Sequence, residues 1–223
     1  MEEPLPRNDQ QQRALILREA QARVNSRRQE RVRQFIRDTY SHKYEVYFGG
    51  GYLRFRPGAS LQHLNESAWN AGAVDYLYGR LGVAVDSRGY YGTAYTGRHS
   101  FVGAFHPSIS EYTLMAGPQY RFFEGEHWGW TAQVLAGAGH GNFATGTGGL
   151  GSAPVGLYND GTVLNISPGV SVDYNLGPAL AIRLTPNALF TSYDSSVPGA
   201  SNSSFQRNLG FNVGVLYRFG RQH

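Results

Sequence analysis

The chain has 223 residues, enough for one sizeable domain, and no cysteine, which removes disulfides, zinc–thiolate sites and cysteine nucleophiles. No apolar run approaches the ~20 residues that a transmembrane helix needs. The formal charge of +4 is unevenly placed: residues 1–41 hold nine arginines against six acids, and residues 42–223 hold ten arginines and Lys43 against ten acids.

The opening MEEPLPRNDQQQR is acidic and polar and lacks the apolar stretch of a secretion signal. An exported protein with this start is expected to be a mature form carrying an added Met1. From about Gln10 to Thr39 there is no Gly or Pro, and Gln, Arg, Ala and Glu dominate, so one long helix is expected, capped by Asn8 or Asp9. Its apolar stripe of Leu17, Ala20, Val24, Val32, Phe35 and Ile36 is too narrow for a globular core helix. Arg18, Arg23, Arg27, Arg28, Arg31, Arg33 and Arg37 form a candidate partner face for phosphate or carboxylate groups on lipid, cell-wall polymer or protein. The alternative is a solvated helix or linker. Nothing here matches a zinc finger or helix-turn-helix, and no nucleic-acid partner is expected.

At about residue 41 the texture changes to Gly, Tyr, Val and Thr, which divides the chain into a basic helical extension, 1–41, and a β-domain, 42–223. Eight strands are expected, at about 43–56, 68–78, 80–91, 111–122, 128–139, 162–174, 179–193 and 205–219. The triple glycine at 49–51 suggests a bulge or close backbone approach; the lysine and helix of a phosphate-binding loop are missing. Pro118 and Pro168 count against their strands, since proline breaks a ladder bond. In the last strand Leu209, Phe211, Val213, Val215, Tyr217 and Phe219 alternate with Gln206, Asn208, Gly210, Asn212, Gly214, Leu216 and Arg218, which puts an apolar and a largely polar set on opposite faces.

The connections sort by length. Those after strands two, four and six are tight; those after one, three, five and seven (57–67, 92–110, 140–161 and 194–204) are long and rich in Gly, Ser, Asn and Thr. An even strand count with short turns at one end and long loops at the other is the pattern of an antiparallel up-and-down transmembrane β-barrel. Tyr120, Phe122, Trp128, Trp130, Tyr174, Tyr217 and Phe219 fall on apolar faces beside the short turns or the chain end, as an interface ring would. Tyr112, Phe190 and Phe205 are candidates for a sparser ring at the loop end.

The polar faces carry Glu45, Arg121, Asp173, Arg183 and Arg218 near the short turns, with Asp86 and Arg88 further toward the loops. Eight strands enclose little more than their own side chains, and buried charges must pair or stay wet. A closed, salt-bridged lumen is expected, with a narrow proton or ion path as the alternative. His42, His63, His99, His106, His127, His140 and His223 lie at strand ends or in loops, without metal-ligand spacing. His140 with Ser152, and His106 with Ser108, are the pairs a hydrolase would draw on; neither catalysis nor a cofactor is expected.

Gly214 followed by alternating Val215, Tyr217 and Phe219 resembles the C-terminal signature of bacterial outer-membrane barrels, with Gly220 to His223 as an extra four residues. Over about 43–219 the chain resembles small eight-stranded barrels of the OmpA/OmpX-like or opacity type. The resemblance implies an integral outer-membrane protein of a diderm bacterium, with recognition of the last strand by the barrel-assembly machinery and both termini in the periplasm. It implies a structural anchor, adhesin or surface receptor more often than a lipid-modifying enzyme. A soluble lipocalin-type ligand-binding barrel would instead reverse the faces, with Leu209, Phe211 and Val213 inside.

Overall fold

The computed structural model describes residues 7–97, 99–100, 103–104, 106–195 and 205–222. Helix α1, Arg7–Tyr40, runs unbroken for 34 residues and is followed by eight long strands: β1 Tyr44–Phe55, β2 Leu64–Tyr78, β3 Leu81–Thr93, β4 Ser108–Glu124, β5 Trp128–Asn142, β6 Gly161–Asn175, β7 Leu180–Thr191 and β8 Gln206–Phe219. A two-residue pair, His99–Ser100 with Gly103–Ala104, stands in the loop after β3. Consecutive long strands pair antiparallel, and β1 pairs with β8 from Tyr44↔Phe219 to Arg54↔Leu209, which closes the barrel.

Closure depends on side chains that are absent. Gly49 lies opposite Gly214, and a Cβ on Gly49 would run into the Val213 carbonyl, so the first and last strands meet here because neither residue carries a side chain. Gly79, at φ +53°, makes the tight β2–β3 turn.

Burial alternates along the strands and is inverted relative to a soluble core. In β8, Leu209, Phe211, Val213, Val215, Tyr217 and Phe219 are all exposed, while Asn208, Asn212, Leu216 and Arg218 are buried. A lipocalin-type arrangement needs the opposite, and it is not the one observed. The interior is polar through most of its height, with Gln119, Thr131, Gln133, Ser171 and Thr185 among its side chains. It becomes apolar toward the long loops, where Leu53, Phe55, Ile109, Phe143, Leu157 and Leu189 pack.

Three strands begin or end away from the expected positions. β2 starts at Leu64 and β4 at Ser108, each a few residues earlier, and β5 runs on to Asn142. Pro118 and Pro168 do lie inside strands, as does Pro186. The ladders skip at each: β4–β5 pairing passes from Ala116↔Ala136 to Gln119↔Gln133, and β6–β7 from Ile166↔Phe190 to Gly169↔Asn187 and from there to Val172↔Leu184. Proline has no N–H to donate. Pro168 and Pro186 flank an open groove of about 690 Å³ on the outer wall, lined also by Val134, Val170 and Leu209. Expected residues in 196–204, and His223, lie outside the described residues.

Candidate functional site

The seven expected interior charges are all buried. Five of them meet. Glu45, near the start of β1, accepts from Arg121 Nη2 at 2.9 Å and Arg218 Nε at 3.0 Å on one oxygen, and from Arg183 Nη2 at 2.9 Å on the other. The Tyr76 hydroxyl adds a bond to Glu45 at 3.2 Å. Asp173 takes Arg183 through two bonds, 2.7 and 2.8 Å, and Arg218 through one of 3.1 Å. Forked guanidinium–carboxylate geometry fixes orientation as well as charge. Asp86 and Arg88 form a separate pair further up the barrel, held by Tyr47, which donates to Asp86 at 2.7 Å, and by Ser167, which accepts from Arg88 at 3.1 Å. The gap between the two groups, around Tyr47, Asn70 and Asn212, leaves no room for a water molecule.

The short-turn mouth is capped from outside the barrel. Tyr40, the last residue of α1, is buried, and the Arg121 and Arg218 guanidinium groups lie 4.9 and 5.6 Å from its ring centroid. Its hydroxyl donates to the Gly125 carbonyl at 3.1 Å and accepts from Asn175 Nδ2 at 3.0 Å. Val32, Phe35 and Ile36 are half-buried and Thr39 is buried, so the last two turns of the helix dock by one face. At the other terminus Gln222 bonds the His42 carbonyl at 3.2 Å and the Gly79 carbonyl at 3.1 Å. No sequence pattern marked Tyr40, because its partners lie more than 80 residues away.

Burial pushes the Tyr40 phenol above its ordinary value of 10.0. A raised value means that docking is fully present below the ordinary value of 10.0 and is lost as pH rises from there through the raised one. Tyr40→Phe removes the bonds to Asn175 and the Gly125 carbonyl, which keep each other as partners, at a local cost of about 0.5–1.5 kcal/mol. The expected result is faster trypsin cleavage at the arginines near the end of the helix in the detergent-folded protein. An unchanged cleavage rate would mean that Tyr40 does not hold the helix.

The other expected residues are placed as follows. Tyr120, Phe122, Trp128, Trp130, Tyr174, Tyr217 and Phe219 are exposed on the outer wall. Several touch: Trp128 with Tyr174 at 5.0 Å and Tyr217 with Phe219 at 6.0 Å between ring centroids. A bulge between Arg121 and Phe123 turns Phe123 outward beside Phe122. Arg18, Arg23, Arg27, Arg28, Arg31, Arg33 and Arg37 are all exposed and spread round the helix rather than sharing one face. Among the described residues no hydrogen bond joins either Ser–His pair: His140 bonds Thr162 at 3.0 Å, and His106 lies against the Tyr95 ring. Glu66 and Glu111 are buried inward-facing carboxyl groups that the sequence reading did not select. Glu111 is two residues before Thr113, on the same polar face, so carrying the alternation one step further would have found it.

No protein-family model and no curated protein matches the chain. Solved structures do. Neisserial surface protein A aligns at 16% identity over 79% of this chain and 97% of its own, with a TM-score of 0.55. OprG of Pseudomonas aeruginosa aligns at 8% identity over 81% and 97%, with a TM-score of 0.53. Ail, the attachment invasion locus protein of Yersinia pestis, aligns at 17% identity over 80% and 99%, with a TM-score of 0.52. At these identities the likeness is one of fold. The chain has the fold of the small eight-stranded outer-membrane β-barrels, preceded by a helix of its own.

Proposed function

We propose that this chain is a non-enzymatic integral outer-membrane protein whose closed barrel anchors the basic helix α1 on the periplasmic side. The observation that carries the reading is the joint at Tyr40, where the residue that fastens the helix also caps a lumen filled with ion pairs. A barrel so filled serves as an anchor rather than a conduit. The helix, roughly 50 Å long at 1.5 Å per residue, is exposed beyond its docked turns, where arginines stand among Leu15, Ile16, Leu17 and Val24. Its exposed arginines suit an acidic partner: inner-leaflet head groups, cell-wall carboxylates or a protein. The long loops at the other end form the surface-facing side. The alternating Val215, Tyr217 and Phe219 of β8 suit recognition by the barrel-assembly machinery.

Planar-bilayer recording and cell-wall co-sedimentation test the two halves of this proposal. The full chain is expected to give no steady conductance, and a stepwise conductance that changes in Arg183→Ala would make it a narrow pore. Replacing Arg18, Arg23, Arg27, Arg28, Arg31, Arg33 and Arg37 with glutamine is expected to abolish co-sedimentation of the membrane-borne protein with cell-wall sacculi while the barrel stays folded. Association unchanged by those substitutions would remove the helix from the proposal. A change in lipid mass spectra on expression would point to an enzyme instead.

A further inference from the structure

The interior charges divide by height. Around the short-turn mouth, Glu45 and Asp173 are matched by three arginines, and the Asp86–Arg88 pair lies above them. Nearer the loops stand Glu66 and Glu111, respectively 1% and 0% exposed, and no oxygen of either carboxylate has a hydrogen-bond partner. Arg88 is held by Asp86 and Ser167.

The two carboxylates reach over the same short piece of β3 from opposite sides. Glu111 on β4 lies opposite Tyr90. Glu66 on β2 leans over Gly92, where a Cβ would come within 2.8 Å of the Glu66 Cγ. Gly92 in turn lies opposite Ile109, two residues before Glu111. A side chain at Gly92 would run into Leu64 and Glu66, so its absence lets Glu66 lie over β3 on the side of Glu111. Tyr193 is 2% exposed, and its buried hydroxyl has no hydrogen-bond partner and lies within electrostatic reach of both acids. Above them Phe143 packs against Tyr193 at 5.0 Å and Tyr158 at 6.1 Å between ring centroids, with Leu157 buried beside them, and this apolar layer separates the acids from the loops.

Two ionised carboxylates, both buried and both without partners, are strongly disfavoured. A single divalent cation would neutralise both. The donors are hard oxygens, two carboxylates and a phenol, which suit calcium or magnesium rather than a soft metal. Among the described residues there is no cluster of three or more His, Cys, Asp or Glu, so water would complete the shell, as magnesium commonly retains it. We infer that Glu66 and Glu111, with the Tyr193 hydroxyl, form a buried binding site for a hard divalent cation beneath the aromatic layer at the loop end. The ion ties β2 to β4 across β3 and braces the floor on which the loop aromatics pack.

Terbium(III) substitutes for calcium and emits when a nearby tyrosine is excited, and Tyr193 is placed to sensitise it. The detergent-folded full chain is titrated with terbium at neutral pH, then with calcium and magnesium as competitors. The expected result is saturable emission from one ion per chain, reversed by calcium or magnesium. Emission should be lost in Glu66→Gln/Glu111→Gln, a variant whose unboiled gel band checks that it is folded. The urea midpoint of the wild type should fall on adding chelator. Emission no stronger in the wild type than in the folded double variant would overturn the site. So would a midpoint that responds to acid and not to chelator, since that is the signature of two protonated acids. If the double variant does not fold, Glu111→Gln replaces it, and absent emission together with chelator-insensitive stability in the wild type is already decisive against the site.

Discussion

Glu45→Gln is expected to cost the folded barrel about 3–5 kcal/mol, the range for removing one partner of a buried ion pair. Glu45 is fully buried and receives all three guanidinium groups of the lower lumen. Without its charge, Asp173 still serves Arg183 and Arg218, but Arg121 keeps only Glu124, at 3.6 Å. The substitution is nearly isosteric, so the loss reads charge rather than volume. Urea unfolding in lipid vesicles measures it. The exposed pair Lys43–Asp75, at 3.9 Å, is the control: Asp75→Asn should change stability by less than about 1 kcal/mol. Adding Arg121→Gln to Glu45→Gln should recover part of the loss, because it removes the cation that has lost its close carboxylate and keeps only the more distant one. A cost below about 1 kcal/mol for Glu45→Gln would mean that the lumen is wet and its charges are solvated, and the closed-barrel proposal would lose its basis.

The same charges show where the sequence was legible. Asp86 with Arg88, Asp173 and Arg183 could be assigned inward because each sits in a strand whose same-face neighbours are small or polar, and Arg218 because it continues the Asn208, Asn212 face despite Leu216. That assignment needs only the period of the strand. The pairing needs the shear of the closed barrel, which brings Arg183 onto Glu45 across 138 positions and Arg218 onto it across 173; no local pattern encodes either. Glu66 was missed for a different reason. The stretch before Ala68 reads as loop, with Ser, Asn and Gly in it, yet β2 extends through it because β1 satisfies its backbone. Glu111 stands at the first position of its expected strand, one step before the residues whose faces were assigned. The prolines gave the opposite signal: they argued against strands that the closed wall nevertheless includes, at the expense of ladder bonds on either side of Pro168 and Pro186. Tyr40 was invisible because it belongs to a helix end whose depth is set entirely by the barrel mouth.

Val213→Arg should destabilise the barrel in a lipid bilayer by about 2–4 kcal/mol, the cost of an arginine on the lipid face near the bilayer centre. Val213 is exposed on β8, several residues from the exposed Tyr217 and Phe219 rings at the short-turn end and also removed from the loop end of the strand. Tyr217→Arg, on the same face but at that ring, should cost only about 0–1 kcal/mol for its charge, because a guanidinium there reaches head groups and water. The difference between the two positions carries the test, since both variants add the same side chain to the same exposed wall. In an aqueous surround neither position has a dielectric reason to differ from the other, and two similar small effects would mean that the outer wall does not face lipid. A large cost at Val213 that falls away at Tyr217 would set the apolar band between the aromatic ring and the loops. It would put the Tyr40 joint and helix α1 outside the hydrocarbon, on the side where its arginines can meet a partner.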